Sequence, residues 1–480
     1  MKENNSLIFT FSGIRGISGK DLNFDVAKRI AIAFGLWFTN NNRNVILGRD
    51  TRPSGEIIER GIIEGLITTG FNIINVGICP TPIIIYSMNK LHIPAGIIIT
   101  GSHNPQEWNG LKLLSERNYL NTINLQKIFQ TFQKISVNSY PSTSADSKKQ
   151  IKVLKPIPDY IQSLYNNINY KKIRKNNRLK VVVDSGAGAA KFAAPQILRG
   201  LGCYVKVINN DMFVNQTFPR EIEPIEKNLK DLMMEVWQGK FDVGFAHDSD
   251  ADRLTIIGEN SVCYPEDVGL ALITDYYLKK NEKRREEIIF VTNLASSLIF
   301  EELAKKHNAQ LIRTPVGERF LIEKMDDLIK KGKKNSKHYL IFGGEGSCGG
   351  VMFPSFNNTR DGIFAAAKII EILVNTGEKI SHLVSKLPKY YSSRQKINIT
   401  NQNKNLIISQ TKKELMDEGE NVNQFDLDLR FGHKNEWFVL IHPSNTEPII
   451  RVISEAKSSS LARIYCEATA ELVRLVISKL

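Results

Sequence analysis

Three aspartates at alternate positions give the sequence its most specific chemical signal. Asp248, Asp250 and Asp252 lie in DSDADR (248–253), between the strand-like runs DVGFAH and RLTIIG. Residues two apart in an extended chain face the same side, so the three carboxylates can converge. Such a cluster repels itself unless a hard divalent cation is present, and a few carboxylates completed by water or phosphate suit Mg²⁺. We therefore predict one Mg²⁺ ion at these aspartates.

Two alternatives to a magnesium site stay open for the aspartates. In an EF-hand loop Glu259 would fall at the twelfth position, but Arg253 stands at the sixth, where the sharp turn needs glycine. The flanking runs also look like strands, whereas an EF-hand has helices. An acidic turn that is merely solvated is the second alternative.

A serine in a turn is the candidate nucleophile. Ser102 lies in TGSHNP (100–105), which follows the strand-like run AGIIIT, and Lys112 comes shortly after it. A serine at a strand end can act as a nucleophile if its oxygen is made a good acceptor or leaving group. The same string also suits an ordinary turn. Neither Ser102 nor Ser347 has the G-x-S-x-G pattern of a hydrolase nucleophile elbow.

Two further loops have side chains suited to a sugar phosphate, although each could also be a plain turn. In GGEGS (343–347), glycines allow close approach of the backbone, while Glu345 and Ser347 offer hydrogen-bonding groups for hydroxyls. Ser444, Asn445 and Thr446, with Arg451 beyond them, could form an anion nest backed by a guanidinium. By contrast, GAGAAK (186–191) has Lys191 where a dinucleotide fingerprint needs glycine, and no G-x-x-x-x-G-K-[ST] string occurs.

The predicted elements would place these loops at strand ends. Strand-like runs alternate with helix-like segments in three successive stretches, each of which feeds a polar loop from a strand's carboxyl end, where ligands bind in open α/β sheets. The helix-like segment GEIIERGIIEGLITTG has a cap-like start at Thr51–Ser54, and residues 136–150 read as a linker. From about residue 389, short strands and a terminal helix predict a smaller α+β domain. We expect an α/β fold with domains at 1–145, 155–258, 259–388 and 389–480.

Composition restricts the class of protein. A chain of 480 residues is too long for a single hydrophobic core. Its contents of 42% hydrophobic and 24% charged residues are ordinary for a globular protein. Five scattered cysteines without C-x-x-C spacing argue against disulfides and structural zinc. The net charge of +14 could serve anionic substrates or nucleic acid, but the Lys/Asn-rich stretches lack aromatics for base stacking, so we expect no nucleic-acid partner.

No apolar run and no leader pattern indicates a membrane or secreted protein. No stretch approaches the ~18 consecutive apolar residues of a membrane span. The N-terminal run Leu7–Phe11 is short and lacks a cleavage pattern. We expect a cytoplasmic protein that does not bind membranes.

Taken together and in this order, the strings resemble the α-D-phosphohexomutase family over essentially the whole chain. TGSHNP resembles the family's phosphoserine loop, DSDADR its metal loop, GGEGS its sugar-recognition loop and HPSNTEP its phosphate-binding loop; FSGIRG and GRDTRPSG are also similar to family signatures. The resemblance implies three similar mixed α/β sheet domains and a smaller C-terminal α+β domain around a central cleft.

The resemblance also implies a reaction and assigns residues to it. A phosphoryl group would move between C6 and C1 of a hexose phosphate through phosphorylated Ser102, which would also be a metal ligand, and a 1,6-bisphosphate intermediate, which also serves as activator. Arg15 and Arg253 would stabilise the transferred charge, with Lys112 as general acid/base and His103 beside the serine; for Lys112 a surface lysine is the alternative. Glu345, Ser347 and Gly317, the last in TPVGER (314–319), would bind the sugar. Ser444, Asn445, Thr446 and Arg451 would hold the phosphate that is not reacting.

The sequence departs from the family pattern at two positions. His442 stands where many relatives have arginine, and Gly349 stands where some bacterial relatives have histidine. The strings around Ser102, Gly317 and Glu345 are closer to one branch of phosphoglucosamine mutases than to phosphomannomutase/phosphoglucomutases, which remain the alternative. A non-catalytic sugar-phosphate- or nucleic-acid-binding protein is an alternative of another class. A monomer or a dimer is expected.

Overall fold

The computed structural model describes residues 7–10, 13–136, 150–284, 286–399, 403–444 and 448–480, without the side chain of residue 347. The chain forms two compact units. Unit 1 comprises Met1–Gly269 and Cys348–Leu383, and unit 2 comprises Leu270–Ser347 and Val384–Leu480.

The first sheet lies in unit 1 and is mixed. Its strands are β1 (Ile8–Thr10), β2 (Gly13–Ile17), β3 (Asn44–Arg49), β4 (Asn72–Ile78), β5 (Ala95–Ile99), β6 (Trp108–Ser115), β7 (Asn118–Tyr119) and β8 (Ile151–Val153). The order is β1-β2-β6-β5-β3-β4-β8, with β7 on β6. Strands β5, β3, β4 and β8 are parallel, while β6, β2 and β1 continue the sheet antiparallel.

Helices connect these strands and cover the sheet. They are α1 (Phe24–Trp37), α2 (Gly55–Thr68), α3 (Thr81–Lys90) and α4 (Thr122–Lys134). One core contains Ile30 and Phe34 of α1, Ile62 of α2, Phe132 of α4 and Ile97 of β5. Burial of the apolar faces stabilises this packing, and it fixes the ends of β3 and β5 from which two functional loops emerge.

The second sheet, also in unit 1, repeats the pattern. Its strands are β9 (Lys180–Asp184), β10 (Tyr204–Ile208), β11 (Val243–Ala246), β12 (Thr255–Gly258) and β13 (Cys263–Tyr264), in the order β10-β9-β11-β12-β13. The helices of this region are α5 (Ile157–Asn166), α6 (Tyr170–Asn176), α7 (Ala194–Gly200) and α8 (Lys230–Gln238). Strands β11 and β12 are antiparallel neighbours, so the DSDADR loop connects two buried strands.

The third stretch of the chain begins with α9 (Glu266–Asn281). In unit 2 it forms β14 (Glu287–Asn293), α10 (Ile299–Lys306), β15 (Gln310–Thr314), α11 (Glu318–Lys334) and β16 (Tyr339–Gly344), and the three strands are parallel. In unit 1 it forms the antiparallel pair β17 (Val351–Phe353) and β18 (Asn357–Asp361), then α12 (Gly362–Thr376). The next helix, α13 (Ile380–Ser385), spans the sequence boundary between the two units. The predicted repetition of the α/β pattern is confirmed.

The last stretch lies in unit 2 and is an antiparallel sheet with helices on one face. It contains β19 (Tyr391–Asn398), α14 (Lys404–Asp417), β20 (Asn423–Phe425), β21 (Asp428–His433), β22 (Trp437–Pro443), β23 (Ile449–Ala456) and α15 (Ser459–Lys479). The strand order is β19-β23-β22-β21-β20. Residues of α14 and α15 share a core with one face of the sheet. The expected α+β character of this stretch is confirmed.

The helix start expected at Thr51–Ser54 is confirmed, since α2 begins at Gly55, but Ser54 does not cap the helix with its side chain. Its hydroxyl instead accepts hydrogen bonds from Asn109 Nδ2 (2.9 Å) and Ser18 Oγ (3.0 Å). Tertiary contacts therefore determine the role of this serine.

The five cysteines, all of which lie in the described part of the chain, form no disulfide. Among the described helices, none is both long and apolar enough to cross a bilayer. The linker predicted at 136–150 falls largely outside the described residues.

Candidate active site

Ser102 occupies an unusual backbone conformation just beyond β5. Its φ is +50°, in the left-handed region that costs a non-glycine residue energy. The Ser102 amide donates to Thr100 Oγ1 (2.8 Å), and the Ser102 hydroxyl donates to Asp248 Oδ2 (3.1 Å). The strained turn therefore presents the serine oxygen to the DSDADR loop, as expected for a functional residue in such a conformation.

Arg52 holds the loop that contains Ser102, here called the serine loop, by hydrogen bonds to its backbone. The side chain is fully buried and donates to the carbonyl oxygens of Ser102 (2.8 Å), Asn104 (2.7 Å), Pro105 (2.7 Å) and Trp108 (2.9 Å). A guanidinium offers five donors in a rigid fork, which allows one side chain to hold several carbonyls of a turn.

Asp50 joins the serine loop to the aspartate loop. Its carboxylate accepts from Arg52 Nε (3.2 Å), Thr100 Oγ1 (2.7 Å) and Ser249 Oγ (2.8 Å). Ser249 stands between Asp248 and Asp250, and its hydroxyl also lies 2.8 Å from the carbonyl oxygen of Ser102. The roles of Asp50 and Arg52 were not predicted from the sequence, although the string GRDTRPSG that contains them was a signal.

The three aspartates converge as predicted. Asp248, Asp250 and Asp252 are buried, and one carboxylate oxygen of each lies within 4.8 Å of the others. The buried atoms Asp250 Oδ1 and Asp252 Oδ1 have no hydrogen-bond partner. A buried carboxylate oxygen without a partner is costly, and a hard cation with oxygen ligands would satisfy both. These residues therefore fit Mg²⁺.

Two cations balance part of this negative charge. Lys112 Nζ donates to Asp250 Oδ2 (2.8 Å) and Asp252 Oδ2 (3.0 Å), and Arg360 donates to Asp252 Oδ2 (2.7 Å). Lys112 is only 4% exposed, so the alternative that it is a surface lysine is wrong. Arg360 in β18 was missed, because nothing in the string NTRDG links it to aspartates more than a hundred positions away.

The aspartates differ in their pKa. Burial, together with the charges of Asp250 and Asp252, raises the pKa of Asp248 well above its usual range. Burial also opposes ionisation of Asp252, but the Arg360 guanidinium and the Lys112 ammonium outweigh it and lower the pKa of Asp252. In the cluster without a metal ion, the pKa of Asp248 is therefore higher than that of Asp252, and Asp248 is the more easily protonated of the two.

Arg253 and His103 complete the surroundings of Ser102. An Arg253 guanidinium nitrogen lies 2.9 Å from His103 Nδ1, which is 3.3 Å from Ser102 Oγ. Burial and the Arg253 charge lower the pKa of His103 well below its usual value. Because arginine can only donate, Nδ1 of the neutral imidazole is the unprotonated nitrogen.

Arg15 is the remaining candidate catalytic residue of unit 1. It lies on β2, is 7% exposed and donates to the Ile14 carbonyl oxygen (3.0 Å). Burial lowers the pKa of Arg15, and the negative charges of Asp250, Asp50 and Asp252 offset only part of this lowering. Arg15 is thus electrostatically coupled to the aspartate cluster.

In unit 2, Glu345 and Gly317 come together. Glu345 is 4% exposed, and its Oε1 accepts from the Gly317 amide (3.1 Å) and Asn293 Nδ2 (2.8 Å). Three strand ends, those of β14, β15 and β16, supply these residues, as expected for ligand-binding loops of a parallel sheet. The side chain of Ser347 lies outside the described part of the chain.

The predicted phosphate-binding residues are only partly described. Ser444 is buried, its amide donates to the Ile449 carbonyl oxygen (2.9 Å), and its own carbonyl oxygen accepts from Lys404 Nζ. Arg451 lies on β23 directly opposite His442 of β22. Asn445 and Thr446 lie outside the described residues.

The structure gives a reason for one departure from the family pattern. Gly349 has φ +67°, and a Cβ at this position would lie 2.1 Å from the Leu254 carbonyl oxygen. The left-handed backbone and the lack of space exclude a side chain, so the histidine of some bacterial relatives would not fit this backbone.

Known proteins similar to this chain cover most of its length. Family models described as phosphoglucomutase/phosphomannomutase, alpha/beta/alpha domains I, II and III, match residues 6–138, 158–261 and 265–391. A phosphoglucomutase/phosphomannomutase of Thermococcus kodakarensis is 35% identical over 97% of this chain and 98% of its own. A protein named probable phosphoglucosamine mutase from Pyrococcus abyssi is 31% identical over 98% of both chains.

A solved structure has the same fold. A phosphoglucomutase/phosphomannomutase family protein from Burkholderia thailandensis has a TM-score of 0.80 at 22% identity, covering 98% of this chain and 97% of its own. Because three family models together match most of the chain, this protein belongs to the phosphoglucomutase/phosphomannomutase family, the α-D-phosphohexomutases, and is a mutase of the isomerase class.

Proposed function

We propose that this protein moves a phosphoryl group between the C6 and C1 oxygens of a hexose phosphate through a phosphoserine at Ser102. The observation that carries this proposal is the 3.1 Å contact between Ser102 Oγ and Asp248 Oδ2, beside buried carboxylates and cations. A seryl oxygen in this position can carry a phosphoryl group whose charge is compensated by preorganised groups.

The proposed reaction has two half-reactions. In the first, the bond from phosphorus to Ser102 Oγ breaks while a bond forms from phosphorus to the free sugar hydroxyl oxygen, giving a 1,6-bisphosphate. The hydroxyl proton leaves the sugar and the serine oxygen ends protonated; Lys112 and His103 are our candidates for this transfer. In the second half-reaction, the other phosphoryl group returns to Ser102 after the intermediate has turned around.

Arginines and a metal ion would compensate the charge of the transferred group. Arg15 and Arg253 can donate to phosphoryl oxygens as rigid forks. Asp248, Asp250 and Asp252, with phosphorylated Ser102, would hold Mg²⁺. When bound, that ion supplies charge neutralisation during phosphoryl transfer.

We propose that residues of unit 2 recognise the substrate. Glu345, Ser347 and Gly317 would bind sugar hydroxyls. Ser444, Asn445, Thr446 and Arg451 would bind the phosphate that is not reacting. Because the bisphosphate turns around in the site, these residues must bind it in both orientations. Added in trace amounts, the same 1,6-bisphosphate would act as an activator by phosphorylating Ser102.

Glucosamine phosphate is the substrate that we favour. A probable phosphoglucosamine mutase is 31% identical over nearly the whole chain, in keeping with the strings around Ser102, Gly317 and Glu345. The relative named phosphoglucomutase/phosphomannomutase, at 35% identity, supports the alternative of glucose or mannose phosphates. Comparing kcat/KM for the three hexose 1-phosphates decides between them.

A Ser102→Ala variant tests the proposed chemistry. Without the seryl oxygen no phosphoenzyme forms, so we expect kcat to fall by roughly 10³-fold or more. Ser87→Ala is the matched control, since Ser87 is equally buried but donates only to the Ile83 carbonyl oxygen within α3. Undiminished turnover of the Ser102 variant would exclude the phosphoserine.

Domain boundaries, location and oligomeric state remain proposals. Boundaries at 145/155, 258/259 and 388/389 would divide the chain into its four domains, and limited proteolysis can locate them. A cytoplasmic location and a monomeric or dimeric state also stay predictions.

A further inference from the structure

A row of polar side chains crosses the last sheet at the end where Ser444 lies. The row runs across four neighbouring strands and consists of Asp428 (β21), His442 (β22), Arg451 (β23) and Lys396 (β19). His442 pairs with Arg451, and Arg451 pairs with Lys396. Asp428 lies beside His442, because the preceding pair in the register is Leu429 with Ile441. Directly paired residues of antiparallel strands point to the same face. This is the face opposite α14 and α15, whose core contains Leu429, Ile441 and Ile450.

Asp428 fixes the orientation of His442. The Asp428 side chain is 8% exposed, and Asp428 Oδ1 lies 2.6 Å from His442 Nδ1. A carboxylate only accepts, so Nδ1 carries the proton and donates it to Asp428. The tautomer and the ring orientation of His442 are therefore set by Asp428, in the way a carboxylate orients a functional histidine elsewhere.

The second oxygen of the same carboxylate reaches a different loop. Asp428 Oδ2 lies 3.4 Å from the Val316 amide nitrogen. Val316 also packs against an apolar cluster that includes Leu294, Phe438 and Leu440, so this loop has apolar packing in addition to the contact with the carboxylate. The neighbouring amide, that of Gly317, donates to Glu345 Oε1.

One buried carboxylate therefore connects the strand that leads to Ser444 with the turn that holds Glu345. We infer that Asp428 is a positioning residue which keeps His442 and the Val316–Gly317 turn in a fixed relation, so that sugar recognition and phosphate recognition in unit 2 are coupled. This inference rests on the proposed function, since it assigns a common support to the two binding loops.

An Asp428→Asn variant tests the inference. Asparagine offers one acceptor oxygen to two N–H donors, so one of the two contacts must be lost or the histidine must change tautomer. We expect KM for hexose 6-phosphate to rise on the order of tenfold, while kcat changes by less than about threefold. Asp426→Asn is the matched control, because Asp426 is exposed in the turn before β21 and should leave KM unchanged.

A double-mutant cycle with His442→Asn separates positioning from a general loss of stability. If Asp428 acts through His442, the effects on KM are not additive, and the double variant resembles the worse single variant. Additive effects, or a KM equal to that of Asp426→Asn, would overturn the inference.

A readout without turnover keeps the inference separate from the proposed function. In nitrogen-15 NMR of the whole protein, the Nδ1–H signal of His442 should be present in the wild type and lost or shifted in Asp428→Asn, and calorimetry should show weaker binding of inorganic phosphate. If the wild type turns over no hexose phosphate but these changes occur, the proposed reaction fails and the positioning role stands. Unchanged signals and unchanged phosphate affinity would contradict the positioning role itself.

Discussion

At the scale of single residues, the site is an arrangement of charge around one serine oxygen. Ser102 Oγ touches Asp248, and Lys112 and Arg360 touch the other two aspartates. Taking this many charges out of water is costly unless each is compensated. Compensation is incomplete at Asp248, because burial and the charges of Asp250 and Asp252 raise the pKa of Asp248 well above its usual range.

Magnesium binding should therefore release a proton. Because burial raises the pKa of Asp248 and a metal ligand must be deprotonated, Mg²⁺ competes with a proton for this carboxylate, and Mg²⁺ affinity should rise with pH. Calorimetric titration in two buffers with different ionisation enthalpies measures the released proton. Asp248→Asn should abolish the buffer dependence. A binding heat that is independent of the buffer in the wild type would contradict the raised pKa of Asp248.

The sequence predicted the residues of this arrangement better than their partners. The spacing of Asp248, Asp250 and Asp252 was sufficient to predict their convergence, because alternation along an extended chain is a local property. Arg360 and the link from Asp50 to Ser249 depend on approach between distant segments, which no local pattern records. Family resemblance, rather than local chemistry, singled out Arg15 and Lys112.

At the scale of elements, rigid strand ends hold loops that would not be stable alone. The left-handed Ser102 is retained because Arg52 binds four carbonyl oxygens of its loop and Asp50 binds Thr100. The strands that carry these loops were predicted well from apolar runs, as for β3, β4 and β5. The start of α2 after Ser54 was predicted correctly, but Ser54 makes no capping hydrogen bond, and its hydroxyl accepts from a tertiary partner, Asn109.

Arg52→Lys should damage the serine loop. An ammonium has three donors and no planar fork, so it cannot serve four carbonyls and Asp50 together. We expect a loss of roughly 2–4 kcal/mol in the free energy of unfolding, together with a lower kcat. Arg49→Lys is the control: Arg49 is partly exposed and pairs with Glu59, so its replacement should cost about 1 kcal/mol or less. Urea denaturation measures both, and equal losses would contradict the role given to Arg52.

Gly349→Ala should be far more destabilising than Gly377→Ala. Both glycines have nearly the same φ, +67° and +68°, but an added Cβ meets the Leu254 carbonyl oxygen at Gly349 and nothing within 4 Å at Gly377. The Gly377 variant should lose about 1–2 kcal/mol from backbone strain alone. The Gly349 variant should lose several kcal/mol, because the atom that its Cβ would meet belongs to the backbone and cannot move aside as a flexible side chain can. If the two variants unfolded at similar urea concentrations, the turn at Gly349 would accommodate the added Cβ, and the prediction would be wrong.

At the scale of the whole molecule, the candidate residues divide between the two units. The residues proposed to transfer the phosphoryl group lie in unit 1, and those proposed to recognise the substrate lie in unit 2. The α/β pattern of the first three stretches and the α+β pattern of the last were predictable, since hydrophobic periodicity is strong over long segments. The division into two units was not, because it depends on how residues 348–383 pack after leaving unit 2.

The central claim is that Ser102 carries the transferred phosphoryl group. The most direct test incubates the protein with Mg²⁺ and a hexose 1,6-bisphosphate, locates the phosphorylated residue by peptide mass spectrometry, and then adds hexose 6-phosphate in a single turnover. We predict phosphate on Ser102 and its transfer to the sugar at least as fast as kcat. Phosphate on another residue, or phosphate on Ser102 that the sugar does not remove, would contradict the claim.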